Sequence, residues 1–272
     1  VGTVVGALVG AAMVALHVSV TVHLIASAAL TTIVVLLAVR SFVPDDSATN
    51  PVVTPSDPTL VGSNAPVTET SRSRVGRTLA YWREPRTLLV GLFVLAFAFT
   101  EGAGIDWISV AMIDGYGTSA AVGTLAFAVF LAAMTVGRWF GPALLDRYGR
   151  VPVVRVLAGV SVAGLALFIF GATVPLAFAG AVLWGLGASL GFPVGMSAAA
   201  DDPAHAAPRV SVVASIGYCA FLGGPPLVGF LGDHVTVLRA LLAVAVLLGL
   251  ATLLAGAVQQ LPAADNETAP ST

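Results

Sequence analysis

The sequence predicts an all-α, polytopic membrane protein, and three observations carry that prediction. Hydrophobic residues make up 57% of the 272 residues and charged residues only 10%, whereas about a quarter of the residues in a soluble domain are charged. The mean hydropathy is +0.96. Apolar runs of about 20 residues, the length that a helix needs to cross a bilayer, recur along the chain.

Eight apolar runs predict eight membrane-spanning helices. Two runs come before a long polar stretch and six follow it. The runs cover residues 1–16, 20–39, 88–113, 119–140, 151–172, 175–198, 210–231 and 237–258. The first is shorter than a full span and starts at Val1, already apolar and without an initiator Met, so we expect helices to be missing at the N-terminus.

The polar stretch at 41–86 predicts a cytoplasmic linker. Its first part is rich in proline, serine and threonine, a composition that favours disorder. Its second part is rich in arginine, and eleven of the 12 basic residues fall on the same side of the predicted membrane, with Arg239 on the other. Because positively charged loops stay in the cytoplasm, the linker and the tail at 259–272 are predicted to be cytoplasmic.

Two carboxylates inside the third apolar run are the strongest functional signal. A charged side chain at mid-membrane costs about 2.5 to 3.5 kcal/mol on insertion scales, so Glu101 and Asp106 are expected to face a protein interior or an aqueous cavity. One of them would recognise an amine or hydroxyl of a solute, or would carry a proton. The alternative is that both only cap or hold a broken helix.

The charged loop between the fourth and fifth runs predicts a conformational latch. Its residues are Gly137, Arg138, Asp146, Arg147, Gly149 and Arg150. Asp146 is expected either to sit at the start of the following helix or to pair with Arg138 across the loop. A charge network at a hinge is stable in one conformation and broken in another. The alternative is that these charges only anchor the topology.

Glycines and prolines inside apolar runs predict interrupted helices, which in transporters surround the substrate cavity. The predicted breaks are at Gly102, Gly104, Pro193, Gly224, Pro225 and Pro226. Trp107, Trp184 and Tyr218 are candidates for the cavity wall. For each single position, a structural kink or ordinary packing is the alternative.

The Asp-Arg-x-Gly-Arg loop with Gly137-Arg138 ahead of it resembles the signature loop of the major facilitator superfamily, in the copy between its eighth and ninth helices. The long polar loop followed by six spans also resembles that family. Two stretches, from Glu101 to Trp107 and from Gly217 to Gly229, resemble its rhizopine-permease-like (MosC-like) branch. The resemblance implies that 1–40 holds the last two helices of the N-terminal bundle and 87–258 the C-terminal six-helix bundle, so that eight of twelve helices are visible.

That resemblance implies a secondary active transporter in the cell membrane that moves a small polar organic solute by alternating access, with protons as the coupling ion. The lipid bilayer, the solute and protons are the expected partners, and the missing N-terminal helices would be needed for a complete transporter. No cofactor, metal or nucleic acid is expected. The chain has no His-Glu-x-x-His helix and no phosphate loop ending in Gly-Lys, and Asp201-Asp202 has no second acidic cluster, so we expect no enzyme. A drug or metabolite exporter and a non-transporting sensor or scaffold are the alternatives.

Overall fold

The computed structural model describes residues 2–16, 18–40 and 80–261. Those residues are largely helical and contain no strand. The main helices are α1 Gly2–Ala15, α2 Val20–Arg40, α3 Pro85–Tyr116, α4 Ala120–Tyr148, α5 Arg150–Phe170, α6 Val174–Ala188, α7 Gly191–Ala199, α8 Ala206–His234 and α9 Val237–Leu254, with a 3-10 turn at Ala255–Val258. The predicted linker lies almost wholly, and the tail largely, outside the described residues.

Seven helical segments of the described chain are long and apolar enough to cross a membrane, if α6 and α7 count as one span. The shorter apolar helix α1 is the eighth. The prediction of an all-α, polytopic membrane protein is therefore confirmed.

Local sequence signals explain where the spanning helices begin and end. Pro85 occupies the first turn of α3, where its missing N–H costs nothing. Gly117 ends that helix with φ of 66°, and its N–H donates to the carbonyl of Ile113. Ser119 caps α4 by accepting from the N–H of Val122. Gly149, with φ of 79°, is the single residue between α4 and α5, so the chain reverses there without a loop.

Helix α3 lies at the centre of the bundle. It packs against α4, α8, α9 and the α6–α7 pair, and two thirds of its most apolar stretch is buried, more than in any other described span. An aromatic cluster fills the adjacent interior: the Trp184 ring lies 5.3 Å from Phe130 and 5.8 Å from Phe168, both nearly edge to face. Because α3 contacts most of the other helices, its polar residues can interact with several of them.

Glycines let the helices pack backbone to backbone, as is usual in a membrane. A Cβ atom built on Gly164 of α5 would lie 2.3 Å from the backbone nitrogen of Trp184 in α6. A Cβ on Gly180 of α6 would lie 2.6 Å from the backbone nitrogen of Phe168 in α5. The α5–α6 contact therefore requires both glycines.

The predicted break at Gly102 and Gly104 is wrong, because α3 is continuous from Pro85 to Tyr116. These glycines serve close packing instead. A Cβ on Gly104 would lie 2.4 Å from the ring of Phe130, and one on Gly102 would lie 3.2 Å from the ring of Phe221.

The predicted break at Gly224, Pro225 and Pro226 is also wrong, since α8 runs through both prolines. The fixed φ of proline fits a helix, and the cost is the loss of hydrogen bonds rather than an obligatory interruption. Gly224 lies against Phe99 of α3, where a Cβ atom would be 3.2 Å from the ring, so packing holds α8 against α3 at this level.

The run predicted at 175–198 does contain an interruption near Pro193. Helix α6 ends at Ala188, and α7 begins at Gly191. The two residues between them, Ser189 and Leu190, are buried. This interruption is therefore inside the bundle rather than at its surface.

Replacing Gly164 by Ala should destabilise the protein by about 1 to 3 kcal/mol, because the methyl group collides with backbone and α5 must move away from α6. Gly159 is the matched control on the same helix, since a Cβ there meets nothing within 4 Å. Gly159→Ala should leave stability unchanged or raise it by up to about 1 kcal/mol through helix propensity. Apparent melting temperatures in detergent compare the two, and equal effects would contradict the packing described.

Candidate functional site

The main polar feature at the middle of α3 is an ion pair between Glu101 and Arg138. Glu101 lies half-way along the 32-residue helix α3. Nη2 of Arg138, on α4, donates to both carboxylate oxygens at 2.9 Å. The Glu101 side chain is 15% exposed and the Arg138 side chain 42% exposed. A charge at mid-membrane is therefore paired with its opposite, which is the condition under which it is tolerated there.

Arg138 also reaches the interruption between α6 and α7. Its Nε donates to the carbonyl oxygen of Ser189 at 3.1 Å. In a continuous helix that carbonyl accepts from the N–H four residues later, but the residue four positions later is Pro193, which has no N–H. Arg138 thus supplies the donor that Pro193 lacks, and one guanidinium joins α3, α4 and the broken span.

Gly137 makes this geometry possible. A Cβ on Gly137 would lie 2.4 Å from the side-chain oxygen of Ser189. A Cβ on Gly141, one turn later, would lie 2.4 Å from Leu190. The two glycines therefore let α4 approach the interruption closely enough for Arg138 to reach the carbonyl.

Asp106 does not join this ion pair. Its residue is exposed, and no described Arg or His lies within ion-pair distance of it. Trp107, next to it, lines a cleft of about 550 Å³ at the end of α3, together with Asp114 and Asp233. The Trp107 Nε1 atom is buried and has no hydrogen-bond partner among the described residues.

The other two proposed cavity residues lie in different surroundings. Trp184 is fully buried among Phe130 and Phe168, so it reaches no cavity surface in this conformation. Tyr218 on α8 is 60% exposed and lies 6.5 Å from the ring of Phe221. The structure thus brings together Glu101 and Arg138 and leaves Asp106, Trp184 and Tyr218 apart from them.

A second charge cluster lies at the end of the bundle where α3 and α5 begin, here called the arginine end (residues 83–87, 147–151, 197–209 and 255–261). Asp201, just after α7, has a side chain that is only 6% exposed, and it accepts from Arg150 at 2.7 Å and from Arg86 at 3.2 Å. Arg150 also donates to Ser197 at 3.0 Å, and Arg86 to the carbonyl of Gln259 at 3.0 Å. Asp201 therefore ties the starts of α3 and α5 to the end of α7.

Arg209 forms the other half of this cluster. It holds Glu84 through two parallel hydrogen bonds of 2.7 and 2.9 Å and donates to Asp202 at 3.1 Å. The hydrogen bond from Arg209 lowers the pKa of the Glu84 carboxyl, and that from His205 lowers the pKa of Asp202. Asp202 lies 2.6 Å from the His205 ring. The two parallel bonds between Arg209 and Glu84 are the strongest form of hydrogen bonding between an arginine and a carboxylate.

Comparison with known proteins gives the family. The model of the major facilitator superfamily matches residues 1–220 and 102–271 of the chain. The chain belongs to the major facilitator superfamily. An uncharacterised transporter of Sinorhizobium fredii, y4wD, is 34% identical over 173 residues, which are 63% of this chain and 46% of that protein.

Two further relatives agree with this family. An uncharacterised MFS-type transporter of Yersinia pestis is 30% identical over 54% of this chain and 38% of its own length. The membrane protein MosC of Rhizobium meliloti is 28% identical over 59% of this chain and 40% of its own length. The chain thus spans less than half the length of these relatives. Family and relatives together make it a multi-pass membrane protein of a transporter family.

The predicted pairing of Arg138 with Asp146 is wrong in this superfamily protein. Arg138 lies well before the end of α4 and is held by Glu101, while Asp146 is exposed and makes no ion pair with described residues. Arg147 lies 5.3 Å from the Tyr148 ring. Of the predicted latch residues, Arg150 joins the arginine end and Gly149 forms the turn.

Sequence reasoning missed the acids that hold these arginines. Glu84, Asp201 and Asp202 stand at helix ends. The pairs that they form are distant in the chain, with separations of 115 positions for Arg86–Asp201, 51 for Arg150–Asp201 and 125 for Arg209–Glu84. No spacing rule connects such residues. A signal for Ser189 existed, since Pro193 leaves the carbonyl four residues before it without a donor.

Arg138→Met should lower stability by about 2 kcal/mol, because Glu101 then lacks a counter-charge and the Ser189 carbonyl lacks a donor. The double variant Glu101→Met with Arg138→Met should recover part of the loss, since no unpaired charge remains. Asp106→Asn is the control and should change little. Apparent melting temperatures decide, and a single Arg138→Met variant as stable as the wild type would contradict the role given to this pair.

Glu84→Gln should lower stability at pH 7 by at most about 1 kcal/mol, as expected for a partly exposed pair. The Glu84 pKa lies below its ordinary 4.5 in the folded protein. Its contribution is therefore complete above pH 4.5 and disappears as the pH falls through the lowered value. The difference between variant and wild type should thus shrink below pH 4.5. Asp146→Asn, at an exposed site without a described ion-pair partner, is the control and should leave stability at pH 7 unchanged.

Proposed function

We propose that the protein is a secondary active transporter of a small polar organic solute, driven by protons, and that Glu101 is the proton-carrying group. The observation that carries this proposal is the Glu101–Arg138 pair half-way along the central helix. A carboxylate there has a cost that a packing residue would not have. Its partner, Arg138, also donates to the carbonyl oxygen of Ser189. Ser189 lies in the break between α6 and α7, and among the described residues this is the one predicted interruption that is present.

Protonation of Glu101 weakens one of the two links that Arg138 makes to neighbouring helices. A neutral carboxylic acid no longer holds Nη2 of Arg138 as an ion pair, so the link between α3 and α4 weakens. The Arg138–Ser189 bond then remains as the connection between α4 and the broken span. A proton thus alters contacts between elements that alternating access has to move.

The arginine end serves as the latch of this cycle, and we place it in the cytoplasm. Arg83, Arg86, Arg147, Arg150 and Arg209 lie at this end, against Arg239 near the other, as the positive-inside rule requires. The pairs around Asp201 and Glu84 hold the ends of α3, α5, α7 and α8 together. Opening the bundle toward the cytoplasm would break them, so they stabilise one of the two conformations.

Solute-driven proton entry into proteoliposomes tests the proposal, with a trapped pH-sensitive dye as the readout. Glu101→Gln should abolish proton entry and keep exchange of labelled solute across the membrane. Asp106→Asn is the matched control on the same helix and should keep both. Proton entry that survives in Glu101→Gln would eliminate Glu101 as the coupling group. A wild-type protein that accumulates no solute would favour a sensor or scaffold.

A further inference from the structure

We propose that the transported solute carries a carboxylate and that Arg138 binds it, in exchange for Glu101. This inference rests on the proposed function, because it names the substrate class of the same site. It begins from the donors of Arg138. Nε is used by Ser189 and Nη2 by both oxygens of Glu101, while Nη1 makes no hydrogen bond with the described residues.

Arg138 is more exposed than Glu101, as a residue that binds a solute should be. Glu101 is 15% exposed and Arg138 is 42% exposed, so a ligand can reach more of the Arg138 side chain than of its partner. A guanidinium presents five N–H donors in a flat fork. The free Nη1 and the neighbouring Nη2 form one edge of that fork, which is the geometry that binds a carboxylate through two parallel hydrogen bonds.

Charge decides which solute suits this site. When Glu101 is protonated, Arg138 keeps its positive charge at mid-membrane and has lost its counter-ion. A neutral solute leaves that charge unpaired, which is costly away from water. A cationic solute adds repulsion. A carboxylate restores the pairing, and the anchoring bond to Ser189 keeps the guanidinium in place while the two acids exchange.

The exchange balances without covalent chemistry. One proton binds a Glu101 carboxylate oxygen, the two bonds from Nη2 to Glu101 are released, and the solute carboxylate accepts hydrogen bonds from Arg138. A monocarboxylate then crosses together with one proton and no net charge moves. Transport of such a solute should therefore not respond to the membrane potential.

No other described charge lies within ion-pair distance of Glu101 to compete in this exchange. Asp106 follows on the same helix and has no described ion-pair partner. Helices α6 and α7 carry no titratable side chain, and α9 carries only Arg239, near its start at the opposite end from the arginine end. The titratable side chains of α8 are Arg209, Tyr218, Cys219, Asp233 and His234, and those of α4 besides Arg138 are Asp146, Arg147 and Tyr148.

A fixed panel of labelled probes tests the inference in proteoliposomes and in detergent. The carboxylates are acetate, lactate, benzoate and succinate; the neutral solutes are glycerol and myo-inositol; the amines are ethanolamine and glucosamine. Wild-type protein should bind and accumulate carboxylates only. The affinity should be at least about tenfold lower at about pH 7.5 than at about pH 5.5, because at the higher pH the solute must displace the charged Glu101 carboxylate from Arg138.

Two variants separate ligand binding from folding. Arg138→Gln should lose carboxylate binding by at least about tenfold, and Arg138→Lys should retain part of it, since the charge stays and the fork is lost. Because Arg138→Gln also removes a structural bond, Glu101→Gln is the decisive variant. It should bind the same carboxylate as tightly at the higher pH as at the lower, a gain that no purely structural role of Glu101 gives. Asp106→Asn should behave like the wild type.

Several results would overturn the inference. Uncoupler-sensitive accumulation of a neutral solute or an amine, with every carboxylate inert, rejects the substrate class and leaves the proposed transport function standing. Carboxylate binding that Arg138→Gln does not weaken, or that stays dependent on pH in Glu101→Gln, rejects the binding mode. A wild-type protein that binds and accumulates no carboxylate of the panel rejects this inference, whereas the proposed function is tested separately by solute-driven proton entry.

Discussion

The carbonyl oxygen of Ser189 is the group on which the centre of the bundle depends. Pro193 leaves it without its helical donor inside an apolar interior, where an unsatisfied backbone carbonyl costs several kcal/mol. Nε of Arg138 meets that need at 3.1 Å. A guanidinium at the middle of an apolar helix requires an anion, and Glu101 supplies it at 2.9 Å. The ion pair is therefore a consequence of the interruption as much as a site in its own right.

The two charge clusters share α3 and the broken α6–α7 span, which they engage at two depths. Glu101 and Glu84 bracket the first half of α3, while Arg138 and Arg150 lie on either side of the Gly149 turn. The short helix α7 runs from the residue after Leu190 to Ala199, so it joins the Ser189 interruption directly to Asp201. A change in bonding at mid-depth therefore has a nine-residue helical connection to the arginine end, and the proton step proposed for Glu101 would act on the pairs there through this helix.

Glycine positions set how closely these elements approach. Gly137 brings α4 to Ser189, and Gly104 admits the ring of Phe130 beside α3. Gly191, where a Cβ would fall 1.9 Å from the ring of Phe97, does the same at the start of α7. In lipid there is no hydrophobic force between helices, so close contact of small residues has to supply the packing energy. Glycines in an apolar run therefore do not by themselves indicate an interrupted helix, since they also allow continuous helices to pack closely.

The sequence by itself determined the class of protein, the order of its apolar helices, the position of Glu101 in an apolar run and the interruption near Pro193. These features are local, since hydropathy, an acid in an apolar run and a missing N–H need no partner to be recognised. Only the tertiary structure decided which residues meet. Arg138 pairs with Glu101 rather than with Asp146, and α3 and α8 stay continuous through their glycines and prolines. The acids and arginines of the arginine end come together from distant parts of the chain. The reason is that side-chain partners and the effect of a glycine depend on which helix packs opposite, and that information is not local in the sequence.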